Sequence, residues 1–250
     1  MIRPGMASVT FRALAPARIV DCVKRAGLYG IEWGGDAHVP PGDLERAREA
    51  RVLTKTAGLH IASYGSYYRT GCGEDFDAVV ESAKALRAPG IRIWAGDRAS
   101  ADADKAWWHV VVSDTQRIAA KAREAGLELA FEYHPNTLTD SAESVCRLLE
   151  AVDDARVRCY WQVDRSIPEA NRLADLKRVA PWLSHIHVSH HGETSQVALG
   201  HGESAWREYL AYAATLEGDR YALLEFVENG DPDNLMRDAR TLIALLDEVQ

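Results

Sequence analysis

The chain has 250 residues, of which 47% are hydrophobic and 26% charged, so it can bury a sizeable core as a globular protein. Its 29 basic and 37 acidic side chains give a formal charge of −8, which disfavours broad binding to the phosphate backbone of nucleic acids. No apolar run approaches the roughly 20 residues of a membrane span, and neither a signal-peptide pattern nor a cysteine motif is present. We therefore expect a cytoplasmic protein that binds neither nucleic acid nor membranes.

Short β-type runs alternate with longer helical patterns along the whole chain. The predicted strands are Ala7–Thr10, Gly30–Trp33, His60–Tyr64, Ile91–Ala95, Leu127–Glu132, Arg158–Val163, His185–Ser189 and Tyr221–Phe226. The predicted helices lie near residues 16–27, 43–57, 74–88, 103–125, 140–151, 170–180, 204–216 and 232–248. Repeated strand–helix units imply parallel strands joined by right-handed crossovers, and eight units predict one (β/α)8 TIM barrel, an α/β fold, over residues 1–250. An open, doubly wound sheet is the alternative, but no Gly-x-Gly-x-x-Gly turn follows the first strand.

Glycines punctuate this alternation. Gly27, Gly58, Gly90 and Gly126 each stand between a helical pattern and the next strand, where a left-handed residue commonly ends a helix. Asp140-Ser-Ala-Glu143 resembles a capping box that begins the fifth helix. These signals support the predicted order of elements.

Two glutamates close apolar strands. Glu132 ends the run from Leu127, and Glu225 ends the run from Tyr221. In a parallel barrel the strand ends form the functional face, so both carboxylates are expected at the mouth. A carboxylate there is costly unless a cation compensates it, which indicates either a metal ion or a salt bridge with an arginine.

Histidines and further oxygen donors follow the later strands. His185 and His187 share one strand face, with His187 nearer the strand end and His185 more typical of a core histidine bonded to the backbone. Glu132, His187 and Glu225, with one oxygen donor from the sixth strand, would suit Mn²⁺ or Mg²⁺, with Zn²⁺ or Co²⁺ as alternatives. Candidate substrate contacts at or near strand ends are Glu32, His60, Tyr64, Arg69, Trp94 and His134.

Several segments together resemble the xylose isomerase-like barrel superfamily, in its sugar phosphate isomerase/epimerase branch. They are Gly30–Asp36, Gly58–Gly65, Gly90–Gly96, Leu129–Pro135, His185–Ser189 and Leu223–Glu225. The resemblance implies metal ligands Glu, Asp, His and Glu from four consecutive strands, and Glu132, His187 and Glu225 match the first, third and fourth.

The second ligand position departs from this pattern. Gln162 stands where the aspartate is expected, and Asp164 lies two residues later, so either residue is a candidate ligand. We favour Gln162, which would supply a neutral carbonyl oxygen. The histidine usual three residues after that aspartate is absent; Arg165 stands there if Gln162 is the equivalent, and it becomes a candidate substrate contact.

The resemblance implies a metal-dependent isomerase or epimerase of a sugar or polyol, in which Glu132 and Glu225 move a proton through a metal-stabilised enediolate. A lyase that dehydrates a cyclic polyol or shikimate-type acid at the same site is the alternative. Gln162 motivates a third hypothesis, a carbohydrate-binding barrel with reduced catalysis. Three-metal DNA-repair chemistry is disfavoured, because the third and fourth strand ends offer only His60 and Trp94. A homo-oligomer is compatible with this barrel type.

Overall fold

Eight parallel strands close into a barrel, and each strand is followed by an α-helix of the outer layer. The structure, a computed structural model, describes residues 1–249. The strands are β1 (Ile2–Ala7), β2 (Gly30–Gly34), β3 (His60–Arg69), β4 (Gly90–Trp94), β5 (Glu128–Phe131), β6 (Val157–Trp161), β7 (Leu183–Val188) and β8 (Arg220–Leu224). The helices are α1 (Pro16–Arg25), α2 (Leu44–Thr56), α3 (Phe76–Leu86), α4 (Lys105–Glu124), α5 (Ala142–Val152), α6 (Glu169–Val179), α7 (Glu203–Ala214) and α8 (Pro232–Val249). The predicted barrel is confirmed.

Two strand predictions were wrong in their bounds by more than two residues. The first strand covers Ile2–Ala7, whereas residues 8–10 of the predicted strand lie in a short 3-10 helix, Ser8–Phe11. Pro4 and Gly5 conceal this strand in the sequence, although β1 pairs with both β2 and β8 and closes the barrel. The third strand runs on from Tyr64 to Arg69, past a register shift against β4.

The helix ends follow the expected chemistry with two exceptions. Gly27, Gly58 and Gly126 have positive φ angles after their helices, as left-handed end residues do, but at the third helix Arg87 takes this conformation instead of Gly90. The second exception is the start of the fifth helix. Its cap is Ser141 rather than Asp140, and the Ser141 side chain accepts a hydrogen bond from the Ser144 N–H. No helix within residues 1–249 is long and apolar enough to cross a membrane.

Alternation along the strands separates two kinds of core. In β4, Ile91 and Ile93 are buried in the large apolar core that includes residues of the surrounding helices. A small cluster of Ala62, Ala130, Tyr160 and Leu223 forms a second core. Parallel strands buried on both sides normally carry apolar residues, so charged groups between such residues need ionic partners.

Gly5 lies where β1, β2 and β8 approach closely. A Cβ at this position would stand 2.8 Å from the Gly30 carbonyl oxygen and 2.8 Å from a Leu223 methyl group. Because the carbonyl oxygen belongs to the paired strand, we expect Gly5→Ala to lower the unfolding free energy by about 1–3 kcal/mol. Urea unfolding measures this change. Gly200→Ala, whose Cβ would meet only Thr241 Oγ1 at 3.9 Å, is the control and should change stability far less.

Candidate metal centre

Three buried side chains meet at the carboxyl ends of β5, β7 and β8. Glu132, His187 and Glu225 each place one ligand atom within 4.8 Å of the other two. His187 Nδ1 lies 3.2 Å from Glu225 Oε2 and 3.6 Å from Glu132 Oε1. The backbone fixes both glutamates at this level, since Glu132 N donates to Ile93 O on β4 and Glu225 N donates to Val188 O on β7.

The spacing and chemistry of these donors fit a divalent cation. Donors about 2.1 Å from an ion are roughly 3.0 Å apart in an octahedron and 3.4 Å apart in a tetrahedron, which matches the contacts around His187 Nδ1. Two carboxylates and one imidazole suit Mn²⁺, Zn²⁺ and Mg²⁺, although these ions differ in their preference for oxygen over nitrogen donors. The site therefore has the geometry of a divalent-metal centre.

Glu32 orients the histidine of this cluster. His187 Nε2 lies 3.3 Å from Glu32 Oε1, and both side chains are only 1% exposed. A carboxylate on the second ring nitrogen holds a metal-binding histidine in the required tautomer. Burial opposes a charged ring, but Glu225 and Glu32 raise the pKa of His187 to about 9 in the metal-free protein. The same surroundings lower the pKa of Glu32, because Arg92 and His187 outweigh the effect of burial.

Arg92 contacts two carboxylates at the cluster, although it was not among the predicted site residues. Its guanidinium group is 1% exposed; Nε donates to Glu32 Oε1 at 2.9 Å, and Nη1 pairs with Glu132 Oε2. Trp94 Nε1 also donates to Glu132 Oε2. The salt bridge considered for Glu132 thus exists beside the metal cluster, and one oxygen of Glu132 is held by Arg92 and Trp94 while the other faces His187. The sequence signal for Arg92 was its position between Ile91 and Ile93 on a buried strand, where a charged residue needs ionic partners.

The two candidates for the remaining ligand have different surroundings. Gln162 Oε1 lies 3.3 Å from His187 Nδ1, on the side of the ring that faces Glu132 and Glu225. Asp164 lines the same cavity, but its Oδ1 accepts a hydrogen bond from the Ser166 N–H at 2.7 Å and stabilises a turn. The structure therefore brings Gln162 to the cluster and directs Asp164 toward the loop.

The predicted substrate contacts divide into two groups. Trp94, His134 and Arg165 line a cavity of about 420 Å³ next to the metal cluster, and Arg69 packs against Trp94 with its guanidinium carbon 4.6 Å from the ring centroid. His60 is the first residue of β3, at the opposite end of the barrel, where its ring stacks on Tyr29 at 4.2 Å.

Tyr64, which is buried, and His185, which is half-buried, also lie away from the cavity. The Tyr64 hydroxyl donates to Val39 O at 2.8 Å, because this side chain points out of the barrel toward the helix layer. His185 Nδ1 accepts from the Tyr221 N–H at 3.3 Å, as expected of a core histidine, and burial lowers the pKa of its ring to about 4. Tyr64 and His185 therefore contribute to the packing of the barrel and do not line the cavity at its mouth.

The cavity wall contains residues beyond the predicted substrate contacts. Arg12, Tyr67, Ser189, His191, Gln196 and Phe226 all contribute to it. Most belong to loops after the strands, where side-chain direction depends on backbone angles that have no regular period. Tyr67 and Phe226, for example, both have φ near +60°.

Comparisons with known proteins place this geometry among related barrels. The xylose isomerase-like TIM barrel family matches residues 20–247. A 3-dehydroshikimate dehydratase of Bacillus anthracis is 24% identical over 200 residues, which cover 73% of this chain and 70% of that protein.

Solved structures show the same fold over nearly the whole chain. A probable 3-DHS dehydratase of Bacillus anthracis, involved in petrobactin synthesis, aligns with a TM-score of 0.81 and 20% identity over 97% of this chain and 99% of that chain. A D-psicose 3-epimerase of Clostridium cellulolyticum H10, crystallised with D-tagatose, aligns with a TM-score of 0.72 and 14% identity over 99% of each chain. At these identities the structural matches establish the shared barrel.

Proposed function

We propose that this chain, which belongs to the xylose isomerase-like TIM barrel family, is a divalent-metal-dependent dehydratase of a cyclic β-hydroxy ketone that carries a carboxylate, of the 3-dehydroshikimate type. This is the lyase that the sequence left as the alternative to an isomerase or epimerase. The comparisons with the dehydratases support the reaction class, and the arrangement of acids and bases in the cavity favours it.

The bonds that Arg92 and Trp94 make to Glu132 are the observation that favours a dehydratase over an epimerase. Epimerisation by two glutamates needs each carboxylate to act as a base on one face of the substrate. Here Arg92 and Trp94 both bond to Glu132 Oε2, and Glu132 Oε1 faces His187. A carboxylate compensated by a buried guanidinium group is a weak base, so Glu132 acts as a ligand rather than as a proton acceptor.

His134 is the base that the cavity offers. Its Nδ1 lies 2.7 Å from the Pro135 carbonyl oxygen, which can only accept, so Nδ1 carries the proton and Nε2 keeps its lone pair. Burial lowers the pKa of this imidazole and keeps it neutral. Its ring stacks on Trp94 with 4.2 Å between centroids, which fixes the orientation of the base at the cavity wall.

Glu132, Gln162, His187 and Glu225 would hold the metal, with Mn²⁺ or Mg²⁺ favoured by three oxygen donors and one nitrogen. When bound, the ion supplies Lewis-acid stabilisation of the negative charge that develops on a substrate oxygen. His134 then removes the proton next to the carbonyl group, and the β-hydroxyl group leaves as water. The aromatic walls exclude bulk solvent from these steps.

The cavity also offers cationic groups for a substrate carboxylate. Arg165 lines the cavity and, within residues 1–249, forms no salt bridge; Nη2 donates to the Glu193 carbonyl oxygen at 3.3 Å. Arg12 lines the same cavity and pairs with Asp36. A free guanidinium group at the rim favours an anionic substrate over a neutral sugar, since guanidinium recognises carboxylates through paired hydrogen bonds.

The deciding experiment compares two substrates on the Mn²⁺-loaded protein. Incubation with 3-dehydroshikimate should produce an aromatic dihydroxybenzoate, followed by its ultraviolet absorbance, whereas a ketohexose such as D-tagatose should show no deuterium incorporation from D₂O. Absence of the aromatic product, together with exchange into the ketohexose, would replace the dehydratase by an epimerase.

The Gln162 position gives a separate test of the ligand set. We expect Gln162→Asp to raise Mn²⁺ affinity at least tenfold, because it adds one negative charge beside the ion. Calorimetric titration measures the affinity, and Asp164→Asn is the matched control that should leave it within about threefold. Unchanged affinity in Gln162→Asp, with a loss in Asp164→Asn, would assign the ligand to Asp164 instead.

A further inference from the structure

A bulge in β3 aims one tyrosine into the cavity. Between Gly65 and Arg69 this strand advances four residues, while its partner β4 advances only from Arg92 to Trp94. The extra residues leave the regular ladder, and Tyr67 adopts a φ of 60°, a left-handed conformation that costs a non-glycine residue about 1–3 kcal/mol. Backbone strain of this kind persists where the surrounding structure stabilises it, and such residues are concentrated at functional sites.

The surroundings hold the bulge firmly. Ser66 Oγ donates to the Arg92 carbonyl oxygen at 2.8 Å and accepts from the Tyr68 N–H at 3.2 Å. The Tyr68 hydroxyl points outward and donates to Asp114 at 2.9 Å. Successive tyrosines therefore face opposite ways, Tyr68 toward the helix layer and Tyr67 toward the cavity.

Tyr67 stands among the groups of the proposed reaction. Its ring lies 5.6 Å from Trp94, the same indole on which His134 stacks, and the Arg92 guanidinium carbon lies 4.9 Å from the Tyr67 ring centroid. Burial raises the pKa of the Tyr67 phenol, although Arg92 opposes this effect, so the phenol is protonated at neutral pH. Arg12 is a second guanidinium group beside the phenol. A protonated phenol beside the Arg92 guanidinium group is a proton donor, because that cation stabilises the phenolate that donation leaves, whereas the charge of Arg12 is compensated by Asp36.

We propose that Tyr67 is the general acid that protonates the departing hydroxyl group, an inference that rests on the proposed dehydration. His134 Nε2 takes the proton from the carbon next to the carbonyl group, and the C–H electron pair forms the enolate. The enolate electrons then form the new C=C bond as the C–O bond breaks. The leaving oxygen keeps the C–O electron pair and takes the Tyr67 proton, which gives water. Solvent reprotonates Tyr67 and deprotonates His134, and the cyclohexadienone so formed tautomerises to the aromatic dihydroxybenzoate by moving a proton from the ring CH₂ to the ketone oxygen, so atoms and charge balance.

The test separates proton abstraction from loss of water. In D₂O with Mn²⁺ and 3-dehydroshikimate, Tyr67→Phe should still incorporate deuterium next to the carbonyl group of recovered substrate. Its rate of aromatic product formation should fall by about 10²–10⁴-fold, the contribution typical of a positioned acid. Tyr68→Phe is the matched control on the same bulge; it loses the bond to Asp114 and should keep both rates.

Two binding measurements test whether Tyr67→Phe is folded and still binds the metal ion and the product. Calorimetric binding of Mn²⁺ and of 3,4-dihydroxybenzoate should remain within about threefold of wild type, because the phenol holds neither in place. Equal loss of exchange and elimination in Tyr67→Phe, or no loss in either, would overturn the role of Tyr67. If the wild-type protein forms no aromatic product, the dehydration itself fails and the inference falls with it.

Discussion

Replacing Glu225 by glutamine is expected to lower Mn²⁺ affinity by at least about 100-fold and to abolish turnover. Glu225 Oε2 lies 3.2 Å from His187 Nδ1 and is a charged member of the ligand cluster, so its loss removes both a donor and a negative charge. Calorimetric titration with Mn²⁺ and elemental analysis after dialysis measure the effect directly, without relying on catalysis.

The neighbouring loop supplies the control for this prediction. Glu228 lies three residues further along the chain and pairs with Arg237 at 2.8 Å, away from the cluster. Glu228→Gln should bind Mn²⁺ as wild type does. If Glu225→Gln bound the ion as tightly as Glu228→Gln, Glu225 would not be a ligand, and the metal centre as assigned would be wrong.

Replacement of Arg92 by methionine is expected to cost the metal-free protein about 3–5 kcal/mol of unfolding free energy. Arg92 bonds two carboxylates, and the three side chains are at most 4% exposed, so its removal leaves buried negative charge without a partner. Urea denaturation followed by circular dichroism measures this change. Saturating Mn²⁺ should restore part of the loss, because the ion compensates Glu132 and binds the folded state.

Arg207 offers the comparison for this result. It forms two salt bridges, with Glu203 and Glu248, but its side chain is 41% exposed. Arg207→Met should therefore change stability far less than Arg92→Met does. Similar small losses in both variants would mean that solvent reaches Arg92, and that Arg92 does not hold Glu132 as the structure places it.

The barrel was predictable because its signals repeat. Eight apolar runs separated by helical patterns define the fold even when single bounds are wrong, as at β1, where Pro4 and Gly5 obscure a strand. Glu132 and Glu225 were also accessible, since a charged residue that ends an apolar run stands out against its neighbours. Both properties are local in the sequence.

The remaining site depends on contacts between distant residues. Arg92 precedes the strand end and was overlooked, yet it joins Glu32 to Glu132 across 60 and 40 positions of the chain. Tyr67 reaches the cavity only because β3 bulges, and its neighbour Tyr68 has the same type of side chain with the opposite direction. Periodicity assumes regular strands, so Tyr64 rather than Tyr67 was chosen as a predicted substrate contact.

The neutral side chain of Gln162 affects the net charge of the side-chain cluster when a metal ion is bound. With a divalent ion bound, one guanidinium group and the ion would balance the three carboxylates of Glu32, Glu132 and Glu225, so with a neutral His187 the cluster would be electrically neutral. An aspartate in place of Gln162 would leave one excess negative charge beneath an anionic substrate. In the proposed dehydratase, tight binding of the ion and binding of an anionic substrate would therefore oppose each other, and the neutral amide of Gln162 would favour the substrate. The tighter-binding aspartate variant should accordingly hold its metal through dialysis and yet turn over the carboxylate substrate more slowly.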